Sequence, residues 1–237
     1  MEEHATLPEI ALVQMEVKPG RPDLNVERML AFITEAREAG AEIVVFSELC
    51  VSGYVLGDLW EVDALVEDFA AYSDEIRRAS TGLHIVFGNV AVDRDAVGQD
   101  GRLRKYNAVY VCSDGEYVER EQVPAGLPCG IQPKTLQPNY RFFDDDRHFF
   151  SLRHLAEAAG HSTPGCIPMR CGLATDGFFV SACSCVRICG VRIIVAQGRR
   201  STRLRYTISA APRRCSISRP RRGLGRRTTS AIGWSAI

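Results

Sequence analysis

Residues 43–54 read Ile-Val-Val-Phe-Ser-Glu-Leu-Cys-Val-Ser-Gly-Tyr, four apolar residues followed at once by a polar, acidic turn. A short apolar run bounded by turn residues is typical of a strand buried in a sheet. A similar run lies at 10–13, and between the two runs the apolar residues over 25–39 recur at helical spacing. Strand, helix and strand within about 40 residues predict a βαβ unit whose two strands are parallel.

The sequence up to residue 185 continues as helices and strands. We predict one helix over 60–80, strands over 83–91, 106–112, 117–123 and 178–184, a loop over 124–138 and a short helix over 150–159. Asp114-Gly115, between two of these strands, predicts a tight hairpin turn. Asp23 or Asn25 is expected to cap the first helix, and Gly40 to end it. Helices and strands in this order place the chain in the α/β class.

The charge of the chain is divided between two regions. Its 237 residues carry 29 Lys+Arg and 29 Asp+Glu, so the formal net charge is zero. All 29 acidic residues lie within residues 1–185, whereas residues 186–237 contain 13 Arg, no Lys and no acid. A hydrophobic content of 46% excludes a disordered or collagen-like chain. We therefore treat 1–185 as a folded domain and 186–237 as a separate tail.

Bulk features predict a reduced, cytoplasmic protein. No stretch approaches the ~20 apolar residues that span a bilayer, so no membrane partner is expected. The acidic start Met-Glu-Glu-His lacks the basic and apolar regions of a signal peptide. The nine cysteines are odd in number, and their spacing fits neither a disulfide framework nor paired zinc knuckles. We expect no metal site.

Glu48 is the first candidate for chemistry, because it follows a predicted buried strand. In open α/β folds, sites form where the carboxyl ends of the strands meet the solvent. A carboxylate partly removed from water there is suited to work as a general base. A strand-end acid is nevertheless more often a solvated side chain without chemistry, and spacing alone favours that interpretation.

Lys134 and Cys185 are two further candidates. Lysine occurs only at positions 18, 105 and 134, and residues 133–140 read Pro-Lys-Thr-Leu-Gln-Pro-Asn-Tyr. A lysine held between prolines and an aromatic ring could act as a fixed cation for an oxyanion. Cys185 ends a predicted strand, where a nearby base could make its thiol nucleophilic. Taken singly, a solvated loop lysine and a buried structural cysteine are the commoner cases.

Seven blocks of sequence, taken together and in order, resemble the nitrilase (carbon–nitrogen hydrolase) superfamily. They lie at 10–14, 46–54, 87–90, 105–108, 134–140, 143–145 and 147–149. Within the superfamily they look most like the glutamine-hydrolysing domain of glutamine-dependent NAD synthetase. The resemblance covers residues 8–160 and continues less clearly to 185, and residues 161–172 fit the family pattern poorly.

The resemblance implies an α-β-β-α sandwich and a Glu–Lys–Cys triad that needs no cofactor. By motif, Glu48 corresponds to the general base, Lys134 to the cation that stabilises the oxyanion and Cys185 to the nucleophile. The family's nucleophile begins a Cys-Glu-Asp-x-Trp motif, but Val186-Arg187 follows Cys185 here, and Cys189 is a rival for the role. The implied substrate is an amide, glutamine above all, and the implied assembly is a homo-oligomer.

The resemblance also implies a synthetase domain that binds ATP and deamido-NAD. The Ser-Gly-Gly-x-Asp-Ser phosphate loop of such a domain does not occur in these 237 residues. We therefore expect glutamine hydrolysis at most, and weak activity, because the residues after the expected nucleophile depart from the motif. A stand-alone amidase of the same superfamily and an inactive remnant of the domain are the alternatives.

The tail shows no helical or strand period, and it begins inside the expected strand–turn unit of the nucleophile. If residues 186–191 were encoded GTG AGG ATC TGT GGT GTG, a shift of two bases would read Glu-Asp-Leu-Trp-Cys and restore the motif. The same shift in one coding of residues 215–223 gives Leu-Asn-Ile-Ser-Pro-Ser-Pro-Trp, similar to a downstream family stretch. We interpret residues 186–237 as translated in a shifted frame. A basic nucleic-acid arm is the alternative, but such arms usually mix Lys with Arg, so no nucleic-acid partner is expected.

Overall fold

The computed structural model describes residues 8–98, 100–118, 130–141 and 143–154 with their side chains. It describes the backbone alone of residues 178–183, 192–197 and 200–202. The predictions for Cys185, Cys189 and residues 161–172 fall outside the described residues.

Three parallel strands form the first half of the main sheet. Strand β1 (Ile10–Leu12) leads through helix α1 (Pro22–Glu38) to β2 (Ile43–Val45), and β2 pairs in parallel with both β1 and β3 (His84–Val97). The predicted βαβ unit is therefore confirmed. Its helix packs on the sheet through one apolar stripe, since Val26, Met29 and Ile33 are at most 1% exposed.

The second half of the main sheet is antiparallel. Strand β4 (Leu103–Ser113) runs beside β3, and its other side pairs with β5 (Glu116–Tyr117) and β6 (Ile131–Pro133). Asp114 and Gly115, at φ 50° and 83°, form the turn between β4 and β5, which confirms the hairpin. The predicted loop over 124–138 is wrong where β6 lies, because a three-residue strand gives too short an apolar run to recognise.

The single helix predicted over 60–80 is wrong, because the chain forms three short helices there. They are a 3₁₀ helix, η1 (Gly57–Glu61), then α2 (Asp63–Ala71) and α3 (Ser73–Arg78). The buried Asn89 side chain explains the second break: its Nδ2 donates to the Phe69 carbonyl (2.7 Å) and to Ser73 Oγ (2.8 Å). In a continuous helix the Phe69 carbonyl would accept from the Ser73 N–H instead.

The N-terminal cap predicted for α1 is also wrong, whereas its predicted end at Gly40 is confirmed. The helix begins at Pro22, whose ring fixes a helical φ and whose missing N–H needs no partner in the first turn. Asp23 and Asn25 therefore lie inside the helix, and no side chain caps it. Gly40 adopts φ 78°, the left-handed conformation that ends helices.

The remaining described elements are short. Helix α4 (Asp145–His148) precedes the short helix predicted over 150–159, whose last five residues lie outside the described part of the chain. Strand β7 (Phe178–Cys183) confirms the strand predicted there, and it pairs with β8 (Arg192–Gln197), which pairs with β9 (Arg200–Thr202). Strands β8 and β9 form within the tail although the sequence there shows no strand period, and the β8 run Ile193-Ile194-Val195 is rich in β-branched residues. Over the described residues, no helix has the length and apolarity to cross a membrane.

Candidate active site

Strand direction brings Glu48 and Lys134 to the same edge of the main sheet. Strand β3 is parallel to β2, β4 is antiparallel to β3, and β6 is antiparallel to β4. Strands β2 and β6 therefore run in the same direction and end at the same edge. Glu48 follows β2 by three residues, and Lys134 follows β6 directly. This is the carboxyl edge at which sites of open α/β sheets form.

The turn that carries Glu48 is tightly built. Its next residue, Leu49, is buried and adopts φ 45°, a left-handed conformation unusual for a side chain of this size. Gly88 on β3 lies directly against this turn, and a Cβ built on it would be 2.5 Å from Leu49 N and 2.7 Å from Glu48 Cα. Only glycine fits beside the Glu48 backbone without displacement.

A largely buried triad of charges, one ammonium and two carboxylates, forms the centre of the site. Lys134 Nζ lies 2.6 Å from Glu48 Oε1 and 2.9 Å from Asp145 Oδ2. The side chains of Lys134, Glu48 and Asp145 are only 10%, 16% and 4% exposed. The solvated interpretation of Lys134 and Glu48, which spacing alone favours, is therefore wrong.

Neighbouring polar groups hold the two carboxylates in place. Asn107 Nδ2 donates to Glu48 Oε1 at 2.5 Å, and the Asn107 carbonyl accepts from the Lys134 N–H at 2.8 Å. The Tyr54 hydroxyl donates a short hydrogen bond to Asp145 Oδ1. The Tyr54 ring also lies under the cation, with its centroid 5.8 Å from Lys134 Nζ.

The carboxylates keep Lys134 charged. Burial by itself lowers the pKa of the Lys134 ammonium. Attraction to Glu48, followed by the hydrogen bond to Glu48 and the contacts with Asp145, outweighs burial and raises that pKa above its ordinary value. At neutral pH the site therefore holds a fixed cation, which can stabilise a developing oxyanion.

Sequence reasoning missed Asp145, Asn107 and Tyr54. Asn107 and Asp145 lie in blocks that resemble the superfamily, and Tyr54 ends the stretch that begins the site, but no spacing rule joins them. Tyr54 and Asp145 are 91 residues apart in the chain, and Asn107 and Glu48 are 59 apart. Only the order and direction of the strands bring these side chains together.

The third predicted residue, Cys185, lies outside the described residues, two positions after the end of β7. The described residues place Glu48 and Lys134 together, and Cys185 is not among them. Among the described cysteines, Cys50 and Cys112 are both buried. Burial raises the pKa of the Cys50 thiol to about 12, so this thiol is a poor nucleophile.

Among the described residues, no group of three or more His, Cys, Asp or Glu side chains is arranged to hold a metal ion. The acidic side chains at the site, Glu48 and Asp145, are each paired with the Lys134 ammonium instead.

Comparison with known families identifies the domain. Residues 9–125 match the profile of the carbon–nitrogen hydrolase family. This part of the chain is a carbon–nitrogen hydrolase domain. The resemblance found from the sequence blocks is therefore confirmed, and the domain belongs to a family of enzymes. The match includes Glu48 and Asn107 and ends before Lys134 and Asp145.

The relatives of the carbon–nitrogen hydrolase domain include larger proteins. The glutamine-dependent NAD synthetase of Acinetobacter baylyi is 29% identical over 154 residues, which are 64% of this chain and 25% of that protein. The corresponding protein of Xylella fastidiosa is 34% identical over 144 residues, 59% of this chain and 22% of that protein. The chain therefore spans about a quarter of the length of these relatives.

A solved structure confirms the fold class. The glutamine-dependent NAD synthetase of Cytophaga hutchinsonii superposes with a TM-score of 0.50 at 21% identity, over 71% of this chain and 24% of that one. At that identity the similarity concerns the fold alone. The chain therefore has the α/β fold predicted from its sequence.

Proposed function

We propose that this domain hydrolyses the side-chain amide of glutamine, and that the ammonia released supplies NAD synthesis. The family assignment supports hydrolysis of a carbon–nitrogen bond. The relatives' dependence on glutamine, stated in their names, favours glutamine over other amides. The 2.6 Å contact between the largely buried Glu48 and Lys134 side chains carries the proposal, because it joins a base and a fixed cation at one point.

The proposed reaction begins with Glu48 and Cys185. Glu48 accepts the Cys185 thiol proton while the sulfur attacks the amide carbon, and Lys134 stabilises the resulting oxyanion. Removal of a single oxyanion donor typically costs about 3–4 kcal/mol of transition-state stabilisation. The C–N bond then breaks, and Glu48 delivers its proton to the departing ammonia. Water, deprotonated by Glu48, finally attacks the thioester and releases glutamate and the thiol.

Asp145 has a different place in the proposed reaction. It accepts hydrogen bonds from Lys134 and Tyr54, so it shares the cation with Glu48, and we assign the proton transfers to Glu48. With one cation and two carboxylates, the centre carries a net negative charge when all three groups are ionised. A neutral amide enters such a site more easily than an anion does. The ATP and deamido-NAD needed for NAD synthesis would bind to the synthetase part of such proteins.

We further propose that residues 186–237 are translated in a shifted frame, so that this chain hydrolyses glutamine only weakly. The concentration of all 13 tail charges in Arg supports this, as does the restored Glu-Asp-Leu-Trp after Cys185. Sequencing the coding DNA tests it. A continuous second frame that encodes Glu-Asp-x-Trp is expected, and a coding sequence without that frame would refute the shift.

Ammonia release tests the proposed activity. We expect slow release from glutamine, slower release from acetamide, and none from Glu48→Gln or Cys185→Ala. Replacement of residues 186–189 by Glu-Asp-Leu-Trp should raise the rate about 100-fold, because small errors of position at a reacting centre are that costly. Release that persists in Glu48→Gln, or a restored chain that releases no ammonia, would contradict the proposal.

Two control measurements distinguish the alternatives. Equal rates with acetamide and glutamine would favour a stand-alone amidase over a glutaminase. Loss of activity in Cys189→Ala but not in Cys185→Ala would transfer the role of nucleophile to Cys189. Absence of activity from both the chain and its restored form would favour the inactive remnant.

A further inference from the structure

Helix α4, which carries Asp145, is too short to hold its own position. It is a single turn, Asp145–His148, with a backbone bond from Phe149 N to the Asp145 carbonyl (2.8 Å) at its end. A single turn has little stability in water by itself. Contacts with the rest of the domain must therefore determine where the Asp145 carboxylate lies.

A partly buried charge cluster lies at the other end of this turn. His148 Nδ1 is 2.5 Å from Glu61 Oε1, and the two side chains are 8% and 14% exposed. Arg102 also contacts Glu61, and Lys105 Nζ lies 3.5 Å from its second oxygen. Burial raises the pKa of Glu61, but the hydrogen bond with His148 and the charge of Lys105 outweigh it and lower that pKa overall. Glu61 is therefore an ionised acceptor, and Nδ1 of His148 carries the hydrogen.

The cluster connects α4 to the 3₁₀ helix η1. Glu61 is the last residue of η1, and Trp60 beside it packs on Phe149 with ring centroids 4.9 Å apart. His148 is three residues after Asp145, so both side chains belong to the same helical turn. A bond that fixes one end of a single turn also restricts the direction of the side chain at its other end.

We propose that His148 is a positioning residue, whose hydrogen bond to Glu61 holds the Asp145 carboxylate against Lys134. Its importance for amide hydrolysis rests on the proposed function, but the position of Asp145 can be tested without any activity. The reporter is the reactivity of Lys134 itself. With Asp145 displaced, the ammonium loses one of its two carboxylates, and its amine becomes easier to acylate.

The three lysines of this chain make the experiment specific. Lys18 is 47% exposed, Lys105 is 5% exposed and touches Glu61, and Lys134 is 10% exposed. Brief treatment of the intact chain with acetic anhydride, followed by peptide mass spectrometry, gives the acylation rate of each lysine. Lys18 is the internal standard for the reagent. Lys105 reports general opening of the domain near the cluster.

The decisive variants are His148→Phe and His148→Asn. Phenylalanine keeps the ring but has no donor, and we expect Lys134 to react about fivefold faster, as the loss of a net hydrogen bond would give. Asparagine places an N–H near the position of Nδ1, and its rate should return close to that of the parent. Arg147→Gln is the matched control, because its ion pair with Asp58 also joins α4 to η1 but is exposed on both sides. We expect the Lys134 acylation rate to be unchanged in this variant.

Three results would overturn the proposal. They are an unchanged Lys134 rate in His148→Phe, equal acceleration in His148→Phe and His148→Asn, and an equal rise at Lys105 and Lys134. The last result would mean that His148 supports the domain as a whole. Where ammonia release is measurable, His148→Phe should lower kcat with KM unchanged. An unchanged kcat, with the acylation result as expected, would show that the position of Asp145 does not affect hydrolysis, while leaving the positioning by His148 intact. Absence of ammonia release from the parent chain would instead count against the proposed function.

Discussion

Lys134 lies between two carboxylates in a largely buried site, so removing its charge affects more than one interaction. Glu48 and Asp145 would be left as two buried acids without a cation. Breaking a buried pair by removing one partner costs about 3–5 kcal/mol, because the remaining charge is not compensated. The same cation that stabilises the proposed oxyanion therefore also stabilises the fold.

We predict that Lys134→Met lowers the free energy of unfolding by about 3 kcal/mol, the loss typical of a broken buried pair. Urea denaturation at neutral pH measures this change. Lys18→Met is the matched control, because its ion pair with Glu16 is exposed and should contribute little. Equal stability of the two variants would mean that the buried ion pair contributes nothing.

Gly88 is the second residue on which the site depends. A methyl group there would approach backbone atoms of Glu48 and Leu49, which cannot move aside as a flexible side chain can. We predict that Gly88→Ala destabilises the fold by about 2–3 kcal/mol, as overpacking typically does. In Gly98→Ala the added carbon lies 2.7 Å from Asp100 Oδ1, at the end of a side chain that can move, and 3.7 Å from the Arg102 carbonyl oxygen, an ordinary contact. The unfolding free energy should therefore change little. Similar losses in both variants would show that the contact with the Glu48 turn is unimportant.

At the scale of the elements, α1 is connected to the loop after Glu48 by one side chain. Asn25 Nδ2 donates to the carbonyls of Lys18 (2.9 Å) and Val51 (2.8 Å), and its Oδ1 accepts from the Lys18 N–H (2.8 Å). Asn25 is 1% exposed. Its role is therefore to join three segments, not to cap the helix.

We predict that Asn25→Ala lowers the free energy of unfolding by about 2–3 kcal/mol, because buried partners lose their hydrogen bonds. Asp23→Ala, at the other residue expected to cap, should have a small effect, since its pair with Arg21 is exposed. Thermal and urea unfolding of the two variants measure both changes, and so distinguish the joining of segments by Asn25 from helix capping by Asp23. A larger loss from Asp23→Ala would restore the capping interpretation.

Some helices and strands can be predicted from local sequence patterns, and others depend on residues far away in the chain. The parallel strands β1 and β2, the helix between them and the hairpin at Asp114-Gly115 follow from local patterns, because periodicity and turn chemistry determine them. The break between α2 and α3 depends on Asn89, a residue on a distant strand, so no local pattern could reveal it. Strand β6 is recognised by its pairing with β4, which again is not local.

The site shows the same division. Glu48 and Lys134 are identifiable, because each follows a strand and lies in a recognisable block. They are 86 positions apart in the chain, and only the strand order of the whole sheet brings them together. The contact of Asp145 with Lys134 likewise follows no local pattern.

Buried titratable groups make the stability of the whole domain sensitive to high pH. The pKa of Lys134 is raised because its charge is paired, so its contribution is complete below the ordinary lysine value of about 10.4. It is lost as the pH rises through the raised value. Burial raises the pKa of Tyr106 to about 12 and also raises those of Tyr110 and Tyr117. Deprotonation of these tyrosines at high pH also lowers the free energy of unfolding, because the folded state favours their neutral forms.

We predict that the free energy of unfolding falls steeply above about pH 10, near the ordinary values of tyrosine and lysine. Urea unfolding at intervals from about pH 8 to pH 11.5 measures the slope. Lys134→Met should give a shallower fall, because one of the titrating groups is gone. A stability independent of pH over this range, or an unchanged slope in the variant, would contradict the assignment.

We propose that Glu48 is the general base, and Lys134 the oxyanion-stabilising cation, of an amide hydrolase whose nucleophile is Cys185. The most direct measurement is peptide mapping of the chain after reaction with 6-diazo-5-oxo-norleucine, an electrophilic analogue of glutamine. We predict that Cys185 is labelled ahead of the other eight cysteines. Glu48→Gln should slow this labelling at least about 100-fold, the contribution expected of a general base. Labelling spread evenly over the cysteines, or unaffected by Glu48→Gln, would contradict the claim.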